Sequence, residues 1–192
     1  MTERRRITDP ETLKALAQPL RRRLYRLLIQ LGPSTVGVLA KKVEGDPGQI
    51  SYHLRELAKH GFIEEAPELA RDKRERWWRA VPGSAGWDTA DFATPEARAI
   101  ADQVKAQMLA DEFERAIEWE KNRETWGKDW TRVATSSESN LFLTPEEAVA
   151  FNADLTEVLM KWSKVGHAAR AADRTENREV VFHFMHNFPE RP

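Results

Sequence analysis

Over the first sixty positions, apolar residues recur at the three-and-four spacing of amphipathic helices, interrupted by residues suited to capping and turning. Leu13, Leu16 and Ala17 follow Thr8-Asp9-Pro10-Glu11, which places Thr8 as an N-cap with Glu11 three residues on and ends a first helix near Gln18. A second helix opens at Pro19 and carries Leu20, Leu24, Leu27, Leu28 and Leu31 on one stripe until Gly32 stops it. The third is short, capped by Ser34 or Thr35, with Val36, Leu39, Ala40 and Val43 turned inward. Asp46 caps a fourth, Pro47 takes its first position, Gln49 completes a capping box, and Gly61 suits the left-handed turn at its end. Phe62–Ala66 and Arg74–Val81 then read as two strands joined by the loop from Pro67 to Lys73.

Pro82 to Gly86 has the composition of a linker. Beyond it, Thr94-Pro95-Glu96 begins a long helix with Ile100, Val104, Met108, Phe113 and Ile117, predicted to run to about Trp126. Thr144-Pro145-Glu146-Glu147 starts another, whose stripe is Ala148, Phe151, Leu155, Val158, Leu159 and Trp162. Asn140–Leu143 is a candidate short strand, and Val180–Met185 alternates as a strand does. The fold expected is mainly α with small β. A winged helix-turn-helix, four helices followed by a basic hairpin, spans 1–82, and an α+β part of long helices and a short sheet spans 87–192 and serves dimerisation.

Composition narrows the functions available. With 41% hydrophobic and 32% charged residues the chain has the balance of a globular protein. No apolar run approaches membrane-spanning length and no signal-peptide pattern follows the charged start, so no membrane partner is expected and the protein is assigned to the cytoplasm. The absence of cysteine excludes disulfides, thiolate metal sites and cysteine nucleophiles. Residues 1 to 80 carry 17 Lys and Arg against 11 Asp and Glu, a net +6, whereas residues 81 to 192 carry 13 against 20, a net −7. A polyanion therefore meets the N-terminal part. Glu118, Glu120, Glu124 and His167 have no spacing that compels acid–base catalysis, and glycine patterns for phosphates or dinucleotides are absent, so neither an enzyme nor a cofactor is expected.

The fourth helix has two chemically distinct sides. With Ile50 at zero and about 100° per residue, Leu54 falls near 40° and Leu57 near 340°, which fixes the core face. Tyr52, Arg55 and Lys59 then lie at about 200°, 140° and 180°, with Gly48, Gln49 and Ser51 on the leading turns. Arg clamps a guanine edge and Gln an adenine edge in bidentate fashion, while Ser, Tyr and Lys more often hold phosphate. Arg71, Lys73, Arg74 and Arg76, with Arg79, give the hairpin the charge of a wing, and Arg21, Arg22 and Arg23 are either further phosphate contacts or a solvated face. Of the adjacent Trp77 and Trp78, opposite strand faces make one a core residue and the other a boundary residue.

Leu16-Ala17-Gln18-Pro19-Leu20-Arg21 through Leu28, and Gln49-Ile50-Ser51-Tyr52-His53-Leu54-Arg55-Glu56-Leu57 followed by Gly61-Phe62-Ile63, together resemble the ArsR-type family of bacterial repressors. The resemblance covers about residues 8 to 81 and implies a homodimer that binds double-stranded DNA at an inverted repeat. Metal sensors of that family use cysteines or an Asp and His set on a terminal helix. This chain has no Cys, and His53, His60, His167, His183 and His186 show no ligand spacing, so metal sensing is not expected.

Phe113, Trp119, Trp126, Phe151, Leu155 and Trp162 supply apolar surface either for the pocket of a small-molecule effector or for a dimer core. The alternative function for the chain as a whole is a winged-helix module for protein docking or for architectural DNA binding without sequence preference.

Overall fold

A computed structural model of the chain describes residues 5–72, 75–83 and 85–191. The elements run β1 (Arg5–Arg6), α1 (Pro10–Ala17), α2 (Pro19–Leu31), β2 (Ser34–Thr35), α3 (Val36–Val43), α4 (Pro47–Lys59), β3 (Ile63–Glu65), β4 (Trp77–Ala80), β5 (Ala85–Gly86), α5 (Pro95–Asn122), α6 (Gly127–Val133) and α7 (Pro145–Ala171). The four N-terminal helices and the hairpin follow the hydrophobic pattern.

Helix starts are fixed by side-chain caps. Asp9, rather than Thr8, caps α1, its carboxylate accepting from the Glu11 and Thr12 amides at 3.2 and 2.9 Å. Pro10 occupies the first helical position, which leaves Thr8 one residue too early to reach those donors. Gln18 ends α1 and starts α2, its Oε1 accepting from the Arg21 amide at 2.7 Å. Thr35 caps α3 and Asp46 caps α4.

β3 and β4 pair antiparallel, with Ile63 opposite Ala80 and Glu65 opposite Trp78. β2 adds a third strand on the far side of β4, Ser34 opposite Trp78, which the sequence pattern does not reveal because two residues cannot show an alternation. Trp78 is buried and Trp77 half-buried, in line with their opposite faces. β1 runs parallel to β5, so part of the expected linker is strand-paired.

The core gathers Leu13, Leu24, Leu28, Leu39, Ile50, Leu54 and Leu57 from the four helices and Phe62, Ile63 and Trp78 from the hairpin. Phe92, Ala97, Ala101 and Val104 join the same cluster, and the compact unit runs on to Glu120 rather than stopping at 82–86. The first half of α5 therefore packs into the helix-turn-helix core.

The second unit begins at Lys121. A 3-10 turn over Arg123–Trp126 leads into α6, and Thr144 caps α7 in a reciprocal box with Glu147. Neither Asn140–Leu143 nor Val180–Met185 forms a strand, so the short sheet expected in the C-terminal part is not present among its described residues. Alternation chooses the faces of an extended segment but supplies no ladder, and no described strand lies in this unit to pair with. The alternation still acts on the side chains: the rings of Phe182 and Phe184 stack with centroids 5.5 Å apart.

Candidate nucleic-acid interface

α4 is held from below and bare above. Ile50, Leu54 and Leu57 are fully buried, and the Asp46 carboxylate fixes the first turn by accepting from the Gln49 amide at 2.9 Å. On the other side Gly48, Gln49, Tyr52, Arg55 and Lys59 are exposed, with Ser51 half-buried at the edge. Arg55 lies back along its own helix, Nε donating to the Ser51 carbonyl at 3.3 Å. All six side chains or backbone positions expected on the outer face are thus on it.

The C-terminal end of the helix is clamped by a residue the sequence reading missed. Arg5 donates from one guanidinium nitrogen to the His60 and Gly61 carbonyls at 2.8 and 3.1 Å and lies over the Phe62 ring. Gly61 has φ +70°, the left-handed conformation that closes helices. An arginine many residues away in sequence carries no local signal for such a cap.

His53 lies beneath the outer face, buried, with Nδ1 lacking a partner, and its ring meets that of Tyr52 edge-on at 5.3 Å between centroids. Burial pushes its pKa below 6.5, the Arg21 charge pushes the same way, and Glu56 opposes. Of packing and phosphate contact, packing is its role.

Arg21, Arg22 and Arg23 divide among different tasks. Arg21 donates to the Ala15 and Lys14 carbonyls at 2.7 and 2.9 Å, closing the end of α1. Arg22 is buried and pairs with Asp111, so it is neither a phosphate contact nor a solvated residue. Only Arg23 is exposed, bound at 3.2 Å to the carbonyl of Lys42, whose side chain and that of Lys41 are also exposed. Lys41 and Lys42 in the last turn of α3 add positive charge that the sequence reading did not use.

In the wing, Arg71 and Arg76 are exposed. The Glu75 carboxylate shapes the loop by accepting from the Arg71 amide at 3.0 Å and the Trp77 indole at 3.3 Å. Arg76 stands 3.6 Å from Glu65, a loose pair open to solvent. Arg79 is bound by Glu64 at 2.7 Å and by Glu68, contacts that raise its pKa and engage its charge within the hairpin. Lys73 and Arg74 lie outside the described residues.

The six aromatic and apolar residues expected to line a pocket or dimer core fall in two units: Phe113 and Trp119 in the first, Trp126, Phe151, Leu155 and Trp162 in the second. Phe113, Trp126 and Trp162 are exposed, and Trp119, Phe151 and Leu155 are half-buried. A cavity of about 510 Å³ opens at the wing among Glu65, Arg71, Glu75, Arg76 and Trp77, and none of the six lines it. Among the described residues, no three His, Asp or Glu side chains converge as metal ligands, and no helix is long and apolar enough to cross a membrane.

The family model of a helix-turn-helix domain matches residues 16–66, which are α2 to α4 with the approach to the wing. Residues 16–66 thus have the fold of a helix-turn-helix domain, and both motifs that resemble ArsR-type repressors fall within the matched segment. No curated protein sequence matches the chain significantly. Among solved structures, the homodimeric winged helix-turn-helix DNA-binding domain Mb0332 of Mycobacterium bovis, a possible ArsR-family transcriptional regulator, is 22% identical, with 53% of this chain and 77% of that chain covered and a TM-score of 0.34. A possible transcriptional regulator for arsenical resistance is 28% identical over 66% of this chain and 98% of that chain, at a TM-score of 0.32. A MarR variant from Escherichia coli is 17% identical over 79% and 88%, at a TM-score of 0.34.

Proposed function

We propose that the chain is a sequence-specific transcriptional regulator, a homodimeric repressor that reads an inverted-repeat operator through α4 and is not controlled by metal ions. The observation that carries this reading is the unobstructed row of Gln49, Tyr52, Arg55 and Lys59 on a helix whose opposite face is locked into the core. A helix so fixed presents base-reading groups in one orientation, which is what specificity in the major groove requires. Gln49, Ser51, Tyr52 and Arg55 read base edges. Lys59, Arg71 and Arg76, together with Lys73 and Arg74, hold phosphates.

A dimer sets two copies of α4 about one DNA turn apart, roughly 34 Å, which gives the operator its two-fold symmetry. Repression follows the resemblance to ArsR-type repressors. Independence from metals follows from the missing cysteines and scattered histidines. Phe113, Trp119 and the apolar residues of the second unit serve self-association, with a small-molecule effector as a further ligand of the same surfaces. In this division of labour residues 1–82 bind DNA and the part beyond residue 87 pairs the chains through the surfaces it does not bury in the helix-turn-helix core.

Selection of bound sequences from a random DNA pool tests the reading. An enriched palindrome, bound with the same affinity with and without stoichiometric zinc, is expected. Retention of all sequences alike would instead identify an architectural or docking module.

A further inference from the structure

After the Thr144 cap, the apolar residues of α7 follow an unbroken alternation of three and four. Phe151, Leu155, Val158, Trp162 and Val165 keep that spacing, and Ala148 and Ala169 continue it at the ends. A stripe that repeats every 3.5 residues drifts around a straight helix of 3.6 residues per turn, and it stays on one seam only when two helices coil about each other. About three heptads is the length at which such a pattern argues for a coiled coil. The single chain leaves the middle of the seam open: Val158, Trp162 and Val165 are 53%, 63% and 41% exposed, whereas Ala148, Phe151 and Leu155 are half-buried and Ala169 is buried.

We infer that this seam is where a second copy of the chain docks, α7 against α7 and antiparallel. The inference rests on the homodimer reading above and gives it a surface. Charges beside the seam set the direction. With Leu155 and Trp162 at heptad position a and Val158 and Val165 at d, the g positions include Asp154 and Lys161, and the e positions are Asn152, Leu159 and Gly166. In a parallel pair g faces e, so Asp154 meets Leu159, Lys161 meets Gly166, and both charges stay unpaired. In an antiparallel pair g faces g, and Asp154 meets Lys161 of the second copy twice, once on each side of the two-fold axis.

The apolar layers are compatible with the register that the charges set. Leu155 opposite Val158, Phe151 opposite Trp162 and Ala148 opposite Val165 are all related by one axis passing between Thr156 and Glu157. The Asp154–Lys161 pair, formed twice by a reversed copy of the same helix, is what commits the seam to a second copy.

Because the chain has no cysteine, introduced thiols report this geometry without background. Full-length Ala148→Cys and Val165→Cys proteins are oxidised separately and as a mixture. Across the antiparallel pair residues 148 and 165 adjoin, whereas like residues lie about 17 positions or roughly 25 Å apart along the axis, beyond the ~7 Å Cα reach of a disulfide. A covalent dimer from the mixture alone is expected. Sedimentation equilibrium should show a dimer for the wild type, a dissociation constant raised several-fold by Asp154→Lys or by Lys161→Asp, and recovery when the two are combined. Linking of either variant to itself overturns the orientation. A dimer that neither links in the mixture nor recovers on charge exchange overturns the α7 surface while the homodimer reading stands. A monomeric full-length chain overturns both.

Discussion

The Arg22 guanidinium donates through Nε to Asp111 Oδ2 at 2.7 Å and through one terminal nitrogen to the Leu16 and Ala17 carbonyls at 2.9 Å. One buried side chain of α2 thereby closes the end of α1 and binds α5 to both. Arg26 reaches the same carboxylate at 3.3 Å. Burial by itself would raise the Asp111 pKa, but the hydrogen bond and charge of Arg22, joined by those of Arg26, hold it below 3.8.

Removing one partner of a buried pair leaves the other charge uncompensated, at a cost of about 3–5 kcal/mol. Asp111 keeps 27% of its side-chain surface exposed, so Asp111→Ala should fall at or below the low end of that range. Urea denaturation at neutral pH measures the loss. Because the folded pKa is depressed, the stabilisation is complete above 3.8 and disappears as pH falls through the folded value. An Asp111→Ala protein as stable as wild type at neutral pH would mean that α5 is held by its apolar residues alone.

His53 gives a second dependence on pH, in a higher window. Its folded pKa lies below 6.5, so at intermediate pH the unfolded chain binds more protons than the folded one. Stability should be full above 6.5 and should decline as pH drops from there towards the folded pKa. His53→Leu, which removes the titrating ring but keeps apolar volume, should flatten this part of the curve. Parallel curves for the two proteins between neutral pH and the onset of acid unfolding would exclude His53 as the cause.

At Gly61, with φ +70°, an added Cβ would stand 2.8 Å from the Arg5 guanidinium. Gly61→Ala should therefore cost about 1–2 kcal/mol from the left-handed backbone alone. It should also displace Arg5 from the end of α4. A cycle with Arg5→Ala separates the two: if Gly61→Ala costs the same with and without Arg5, only the backbone term is present.

Arg55 and Arg71 have different tasks in the proposed complex, base reading and phosphate holding. Arg55→Ala should narrow the difference between operator and random DNA by about 1–3 kcal/mol. Arg71→Ala should weaken both alike and lower the slope of log affinity against log salt by about one. Both residues are exposed, so circular dichroism should be unchanged. Equal weakening of operator and random DNA by Arg55→Ala would show that Arg55 grips the backbone.

Sequence alone determined the elements whose cause is local. The periods of α2 and α4, the caps at Asp46 and Thr144, the left-handed Gly61 and the outward row from Gln49 to Lys59 follow from residues within a few positions of one another. Whatever depended on distant partners was settled only by tertiary structure. Arg22 reads in sequence as one of three equivalent arginines, and it became a buried tie because Asp111, 89 residues away, arrives beside it. Val180–Met185 has the pattern of a strand, yet it is not one, because a ladder needs a second backbone that its own residues cannot specify. The N-terminal unit likewise extends past Pro82 to Gly86: the composition of a linker describes local flexibility, whereas burial of Ala97, Ala101 and Val104 against the helix-turn-helix core fixes where the unit ends.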